Sequence, residues 1–201
     1  MNVCIVGHGP SLLNQRLGDR IDGYDVVIRQ KRCQETLKRP ETYGTRIDVV
    51  CGSWTIAPQL FEIGAGEVWV FLDSRHADVS DALVEHVSQV ARIDRSLCDD
   101  WNARYRARRT PYKRPDERVK EFDPLGHPHL SAGFHTLLYA CAFLKPESVT
   151  LAGFDNVRTG GWTWSITRGP EWGQYPDHRW DIEHEMLKDV QDEWDVEVKF
   201  L

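Results

Sequence analysis

The chain has 201 residues, which is enough for one domain with a substantial hydrophobic core. Its net charge of −6 argues against a dedicated nucleic-acid-binding protein. Five cysteines without C-x-x-C spacing argue against a disulfide framework and a zinc site. Because there is neither a charged-then-apolar leader nor an apolar run of about 18 residues, we expect a cytoplasmic protein without a membrane helix.

The opening stretch, Asn2–Ser11, predicts a strand followed by an anion-binding turn. Residues 3–6 form an apolar run typical of a strand that is buried on both faces of a parallel sheet. Gly7 and Gly9 follow at once and precede a segment with helical spacing, an arrangement that can present bare backbone N–H groups to a phosphate. A tight strand–helix turn explains the glycines equally well. Leu12 stands where the dinucleotide-binding fingerprint requires a third glycine, so that fingerprint is absent.

Further strands are predicted at residues 24–29, 48–52 and 67–72, and residues 82–90 have helical spacing. Alternating strands and helices predict a single α/β domain over 1–201, with a Rossmann-like, doubly wound and mostly parallel sheet. In such sheets ligands bind at the carboxyl ends of the strands. The residues expected at those ends are Gly7, His8, Gly9, Arg29, Gln30, Gly52 and Ser53.

A basic segment follows, from about residue 98 to residue 128. Between Asn102 and Lys120 it holds eight Arg and Lys residues, interleaved with tyrosines and broken by Pro111 and Pro115. This composition predicts a solvated, mobile excursion from the domain. The alternative is a lid or acceptor-binding flap that recognises anions.

Regular structure is predicted again from Ser131. Apolar residues at helical spacing indicate a helix over 131–144, and residues 148–152 indicate a strand that leads into Gly153-Phe154-Asp155. A loop rich in Gly and Trp is expected over 156–176, with Trp162 either packed in the core or lining a pocket. A final helix is predicted over 179–193, and residues 196–201 suit an edge strand.

The motifs of this chain, taken in order, resemble those of the sialyltransferases, especially the small bacterial type. The matching stretches are Val3–Ser11, Tyr24–Arg29, Tyr43–Asp48, Ser131–Gly133, Val149–Asp155 and His178–Glu183. The resemblance implies an inverting, metal-independent glycosyltransferase that moves a sugar from a CMP-activated donor to a hydroxyl of a glycan or another acceptor. It implies no cofactor beyond the nucleotide sugar. A homo-oligomer and a partner subunit that completes the pocket are both compatible with a chain of this length.

The resemblance also implies which residues form the site. His178 is the expected general base, because imidazole titrates near working pH and this residue precedes a predicted helix; a capping or surface histidine is the alternative. His8 stands where the family usually has Asn, and it suits a hydrogen bond to the donor or, if protonated, an added charge. The expected donor-binding residues are Gly7, His8, Gly9, Ser11, Arg29, Gln30, Gly52, Ser53, Ser131, Ala132, Gly133, Phe154, Asp155, Trp162 and Thr163.

Two further features depart from the family pattern. The bacterial enzymes place two tyrosines near the leaving phosphate, but here the matching positions are Val157 and a position at or beside 162–164. Arg158 is the expected catalytic substitute, because guanidinium pairs with phosphate in a bidentate manner. Other substitutes for the tyrosines are the Gly160–Gly161 backbone, Thr163 and Tyr175.

The second departure concerns a disulfide. The animal branch of the family pairs a cysteine at the Cys4 position with a cysteine where this chain has Pro146, so that bridge cannot form.

The carboxylates leave alternatives open. There is no Asp-x-Asp motif, which disfavours a metal-dependent nucleoside-diphosphate-sugar transferase. Asp155 suits ligand contact or orientation of its loop, and Asp181 and Glu183 suit capping of the last helix.

Two other functions remain compatible with the sequence as a whole. One is a transferase with another nucleotide sugar or a phosphate-rich or nucleic-acid acceptor, and the other is a non-catalytic nucleotide-binding module.

Overall fold

The computed structural model describes residues 1–54, 57–72, 81–88, 91–109, 129–159 and 179–201. Within these ranges the chain forms a six-stranded, all-parallel sheet flanked by helices, which confirms the predicted α/β class. The strand order is β4-β3-β2-β1-β5-β6, so the sheet is wound outward from β1 in both directions. The strands are β1 (Asn2–Val6), β2 (Val26–Gln30), β3 (Val49–Ser53), β4 (Glu67–Phe71), β5 (Ser148–Ala152) and β6 (Glu197–Phe200).

Helices connect these strands. They are a 3-10 turn (Pro10–Leu12), α1 (Gly18–Asp22), α2 (Gln34–Leu37), α3 (Pro40–Tyr43), α4 (Ala57–Phe61), α5 (Asp81–Ser88), α6 (Arg95–Arg108), α7 (Ala132–Leu144), α8 (Asp155–Thr159) and α9 (Trp180–Trp194). The predicted helices at 82–90, 131–144 and 179–193 correspond to α5, α7 and α9. In the part of the chain that the structure describes, no helix is both long and apolar enough to cross a membrane.

The two faces of the sheet carry different helices, because successive side chains of a strand point to opposite faces. Val3 and Ile5 lie on what we call the front face, which packs against α6, α7 and α9. Cys4 and Val6 lie on the back face, which packs against α1 and α3. A further cluster on the back of β3 and β4 packs against α4. Strands β1 to β5 are thus largely buried on both sides, as their apolar runs predict, whereas β6 alternates between exposed and half-buried residues.

The beginning of the basic segment differs from its prediction. Residues 95–108 form the regular helix α6, whose first turn is capped by Asp94. Trp101 and Tyr105 are fully buried, and the Trp101 ring stacks on Trp194 of α9 at 5.3 Å. The basic residues form the exposed side of an amphipathic helix, so the prediction of an excursion is wrong for residues 98–109. Two ion pairs join them to α9: Arg104–Glu193 and Arg108–Asp189. Residues 110–128 lie outside the described ranges.

A second difference is the short helix α8 at the beginning of the predicted loop 156–176. Val157 is 3% exposed and belongs to the front-face core. His184 of α9 lies 2.9 Å from the Val157 carbonyl oxygen through its Nδ1, which ties α8 to α9. Within α8 the apolar Val157 side chain packs into this core. Residues 160–176 lie outside the described ranges.

The direction of α7 and α9 positions the site. Ser131 begins α7 as its N-cap, with its Oγ accepting a hydrogen bond from Phe134 N at 3.1 Å. Helix α7 leads into β5 and α9 leads into β6, and both strands are parallel to the rest. Each helix must therefore run back along the sheet, so the N-termini of α7 and α9 lie at the carboxyl edge of the strands.

The five cysteines are free and buried. Burial raises the pKa of the Cys4, Cys51 and Cys141 thiols to about 12. These thiols therefore remain protonated near neutral pH and act as small apolar side chains.

Candidate nucleotide-binding site

The bend formed by Gly7, His8 and Gly9, called here the glycine bend, packs closely against the segment after β5. Gly7 N donates to the carbonyl oxygen of the last β5 residue at 2.8 Å, and Gly9 N donates to Gly153 O at 2.7 Å. A Cβ atom added to Gly7 would lie 2.7 Å from Gly153 O, and one added to Gly9 would lie 2.5 Å from Asp155 Oδ2. The close approach of two chain segments therefore requires both glycines.

This packing corrects one expectation about the bend. Asp155 Oδ2 accepts a hydrogen bond from Ser11 N at 2.9 Å, so the N–H groups of Gly7, Gly9 and Ser11 all have partners within the protein. The prediction that these bare N–H groups hold a phosphate is wrong for these three residues. The observed contact of Asp155 orients the bend. An anion at this edge must be bound by side chains or by other N–H groups.

Four of the predicted residues meet on the front side of the bend. The Phe154 ring lies 2.9 Å from the position of a Cβ on Gly7 and 2.7 Å from that of a Cβ on Gly133. Gln30 Nε2 lies 2.9 Å from the same Gly133 position. The ends of β1, β2 and β5 and the first turn of α7 are thereby brought together. Ala132, the first residue of α7, begins this turn.

Two buried side-chain nitrogens near the carboxyl ends of β1 and β2 have no hydrogen-bond partner among the described residues: His8 Nε2 and Gln30 Nε2. Gln30 is only 9% exposed. Buried polar atoms are nearly always paired in native proteins, so each of these two nitrogens can donate a hydrogen bond to a ligand that enters this edge of the sheet. Two such atoms at the carboxyl edge of adjacent strands, β1 and β2, mark this place as the candidate site.

His8 is held in its neutral form. Burial, followed by the positive charges of Arg32, Lys31 and Arg29 in that order, lowers its pKa to about 4. Near neutral pH the imidazole is therefore uncharged. Of the two roles expected from the sequence, only hydrogen bonding is compatible with this environment.

A buried carboxyl group joins the beginnings of α7 and α9. Glu183 is fully buried, and its two oxygens accept hydrogen bonds from Ser131 N at 2.5 Å and from Ser131 Oγ at 2.8 Å. Burial raises the pKa of Glu183 to about 8, although the bonds to Ser131 act in the opposite direction. The expectation that Glu183 caps its own helix is wrong, because its side chain reaches the N-cap residue of α7. No local sequence signal indicates this contact.

Arg29 has a different environment from its neighbour Gln30. Its side chain points to the back face and is fully buried. The Nε atom donates to Arg46 O and the Nη2 atom donates to Tyr43 O, each at 2.8 Å. Arg29 thus holds the segment after α3, and the structure does not bring it together with Gln30 and Phe154.

The remaining predicted residues are distributed as follows. Gly52 and Ser53 end β3 at the carboxyl edge, paired with β4. Arg158 is exposed near the end of α8. His178, Trp162 and Thr163 lie outside the described residues. The described chain resumes at Arg179, whose N donates to Tyr105 OH at 3.1 Å.

A groove of about 390 Å³ lies on the back face near the amino ends of the strands. Its hydroxyl and amide side chains pair with one another: Ser148 Oγ donates to Asn2 Oδ1 at 2.7 Å, and Tyr24 OH donates to Thr150 Oγ1 at 3.1 Å. These polar atoms are satisfied within the protein. The carboxyl edge is therefore the stronger candidate for a ligand site.

No protein-family model and no curated protein sequence matches the chain. Among solved structures, a crystal structure of a mammalian sialyltransferase is similar, with a TM-score of 0.56 and 13% identity over 98% of this chain and 68% of that chain. A mammalian sialyltransferase in complex with Gal-beta-1-3GalNAc-ortho-nitrophenol is also similar, with a TM-score of 0.50 and 12% identity over the same shares of the two chains. At these identities the likeness shows the fold, and this chain has a sialyltransferase-like α/β fold.

Proposed function

We propose that this protein is an inverting, metal-independent glycosyltransferase of sialyltransferase type, which transfers a sugar from a CMP-activated donor to an acceptor hydroxyl. The observation that carries the proposal is the pair of unpartnered nitrogens, His8 Nε2 and Gln30 Nε2, at the carboxyl edge of a sialyltransferase-like fold. In doubly wound sheets this edge is where nucleotides bind.

The donor site follows from the described contacts. His8 and Gln30 supply side-chain hydrogen bonds to the nucleotide without adding charge. The first turn of α7 lies beside Gln30 and has backbone N–H groups without intrahelical partners. The positive end of the α7 dipole favours an anionic group at the same place.

His178 is the general base of the proposed reaction. The acceptor oxygen attacks the anomeric carbon while the base takes the hydroxyl proton, and the bond from that carbon to the phosphate oxygen breaks, so that CMP leaves with the electron pair. Support comes from Arg179, the next residue, which lies at the beginning of α9 and therefore at the carboxyl edge of the sheet. The positive end of α9 disfavours an imidazolium there and keeps a base available.

The leaving phosphate needs fixed hydrogen-bond donors or cations. Val157, at the position of the first family tyrosine, is buried in the front-face core and cannot supply one. Arg158 is the next residue and is exposed, so we assign the stabilising charge to it. The burial of Val157 also favours a second candidate function, a nucleotide-binding module without transferase activity.

One experiment separates these functions. The protein is incubated in EDTA with CMP-sialic acid and a panel of galactosides, and both transfer and donor hydrolysis are measured. The transferase proposal expects metal-independent product formation that is lost in His178→Ala, while CMP still raises the thermal stability of the variant. Stabilisation by CMP with neither transfer nor hydrolysis would instead support the binding module. The absence of any nucleotide effect would contradict both.

A further inference from the structure

We infer that Arg32 is a specificity-determining residue that binds the anionic group of the substrate held at the glycine bend. The kind of substrate is taken from the proposed function, and the inference rests on it. Arg32 itself is not among the residues that the motif resemblance assigns to the site. Arg32 follows the carboxyl end of β2 directly, after Gln30 and Lys31.

The backbone of Arg32 is unusual. Its φ of 63° lies in the left-handed region, which is unfavourable for a residue with a Cβ atom. Such strained residues cluster at binding sites, where the surrounding structure holds them in place. This conformation occurs in the turn between β2 and α2, at the edge where the candidate site lies.

The Arg32 side chain is available for a ligand. It is exposed, and no ion pair or hydrogen bond joins its guanidinium to another residue in the described part of the chain. Arg29 differs in this respect, since it is buried and its guanidinium donates to Tyr43 O and Arg46 O. A cation without a protein partner beside a polar site suits an anion from outside the protein.

Arg32 also lies close to the candidate site. The parallel register pairs Val6 of β1 with Arg29 of β2, so the residues that follow each strand leave the sheet side by side. Of the neighbouring charges that act on the His8 imidazole, that of Arg32 has the largest effect. Together with the register, this effect places the turn that carries Arg32 beside the glycine bend that carries His8. A guanidinium binds phosphate or carboxylate with two parallel hydrogen bonds, and a CMP-activated acidic sugar carries both groups.

The test measures the binding of cytidine, CMP and CMP-sialic acid to the wild type, Arg32→Gln and Arg32→Lys by calorimetry. Loss of one charge-assisted contact is expected to weaken binding about tenfold to a hundredfold in Arg32→Gln, with part of the affinity retained in Arg32→Lys. If Arg32 contacts the phosphate, CMP and CMP-sialic acid both weaken and cytidine does not. If it contacts the sugar carboxylate, CMP-sialic acid alone weakens.

Lys145 offers a matched control, because it is a second cation in the left-handed region (φ 48°) but lies at the opposite end of α7. Lys145→Gln is expected to bind all three compounds as the wild type does. If Arg32→Gln binds CMP and CMP-sialic acid with wild-type affinity, the inference about Arg32 is overturned and the proposed function is not affected. If the wild type binds none of the three, the proposed function fails and the inference fails with it.

Discussion

Residues 29 and 30 are adjacent on β2, and their environments differ completely. Arg29 is buried on the back face, where its guanidinium donates to two backbone carbonyls. Gln30 is buried on the front face beside Gly133, where its Nε2 has no partner among the described residues. The hydrogen bonds of one residue are supplied by the fold, whereas the amide nitrogen of the other is left without a partner in the described chain. Motif resemblance assigns both residues to the donor site, whereas hydrogen bonding separates them.

The back face shows what a satisfied polar cluster looks like. Arg46 donates through Nε to Asp48 Oδ1 at 3.0 Å and through Nη2 to Asp25 O at 2.7 Å. Asp22 accepts hydrogen bonds from the backbone N–H groups of Thr45 and Arg46. Together with Arg29 these contacts attach the segment after α3 to the beginning of β2. These contacts give the polar residues of this stretch a structural role.

The largest effect is expected for Arg29→Met. The change leaves buried carbonyl oxygens without donors, and we expect unfolding to become easier by about 3 to 5 kcal/mol. Urea denaturation monitored by circular dichroism measures this loss. Arg20→Met, at an exposed position of α1, is the control and should stay within about 0.5 kcal/mol of the wild type. A loss below 1 kcal/mol in Arg29→Met would contradict the structural role that distinguishes Arg29 from Gln30.

Glu183 should make stability depend on pH. Because its folded-state pKa is raised to about 8 from 4.5, the folded protein holds a proton that the unfolded chain releases between these values. The stability contributed by this proton is complete below pH 4.5 and is lost as pH rises towards 8, by about 1.4 kcal/mol per pH unit.

Denaturation of the wild type and Glu183→Gln at pH 5, 6 and 7 tests this expectation. The stability of the variant relative to the wild type should rise with pH over this interval. Glu185→Gln is the control, because Glu185 is an exposed residue of the same helix, and it should show no such trend. Parallel pH curves for the wild type and Glu183→Gln would show that burial of the carboxyl group has no effect on its titration.

Gly9→Ala tests the close packing of the glycine bend. The added Cβ would meet both Asp155 Oδ2 and Gly153 O within 2.7 Å, and we expect a loss of about 1 to 3 kcal/mol. Gly23→Ala is a suitable comparison, since its nearest contact would be 3.3 Å from Asp19 O. Equal thermal unfolding midpoints for the two variants would contradict the packing argument.

The smallest effect on stability, and the sharpest contrast with Arg29, is expected for Gln30→Met. The change removes an unpaired buried amide nitrogen at similar side-chain volume, so the free energy of unfolding should change by less than about 1 kcal/mol, in either direction. Nucleotide binding should nevertheless weaken about tenfold, because one hydrogen bond to the ligand is lost. Calorimetry with CMP measures the binding. Unchanged affinity would show that Gln30 Nε2 does not face the ligand.

Local pattern was sufficient for much of the fold. Residues 3–6, 67–72 and 148–152 are apolar runs of strand length, and α7 and α9 have apolar residues at helical spacing. The charge of the basic segment predicts an excursion, whereas Trp101 and Tyr105 lie four residues apart, which is the helical spacing that buries one side of α6. Helix α8 has only five residues, too few for a periodic signal.

The sequence by itself determined the α/β class, the parallel sheet and the motif residues gathered at its carboxyl edge, because strand and helix periods are local properties of the chain. Only the tertiary structure decided which of those residues are satisfied within the protein. The N–H groups of Gly7 and Gly9 donate to residues about 145 positions later in the chain, and Glu183 accepts hydrogen bonds from a residue 52 positions away. Such contacts depend on which segments the fold brings together, and no local pattern records them.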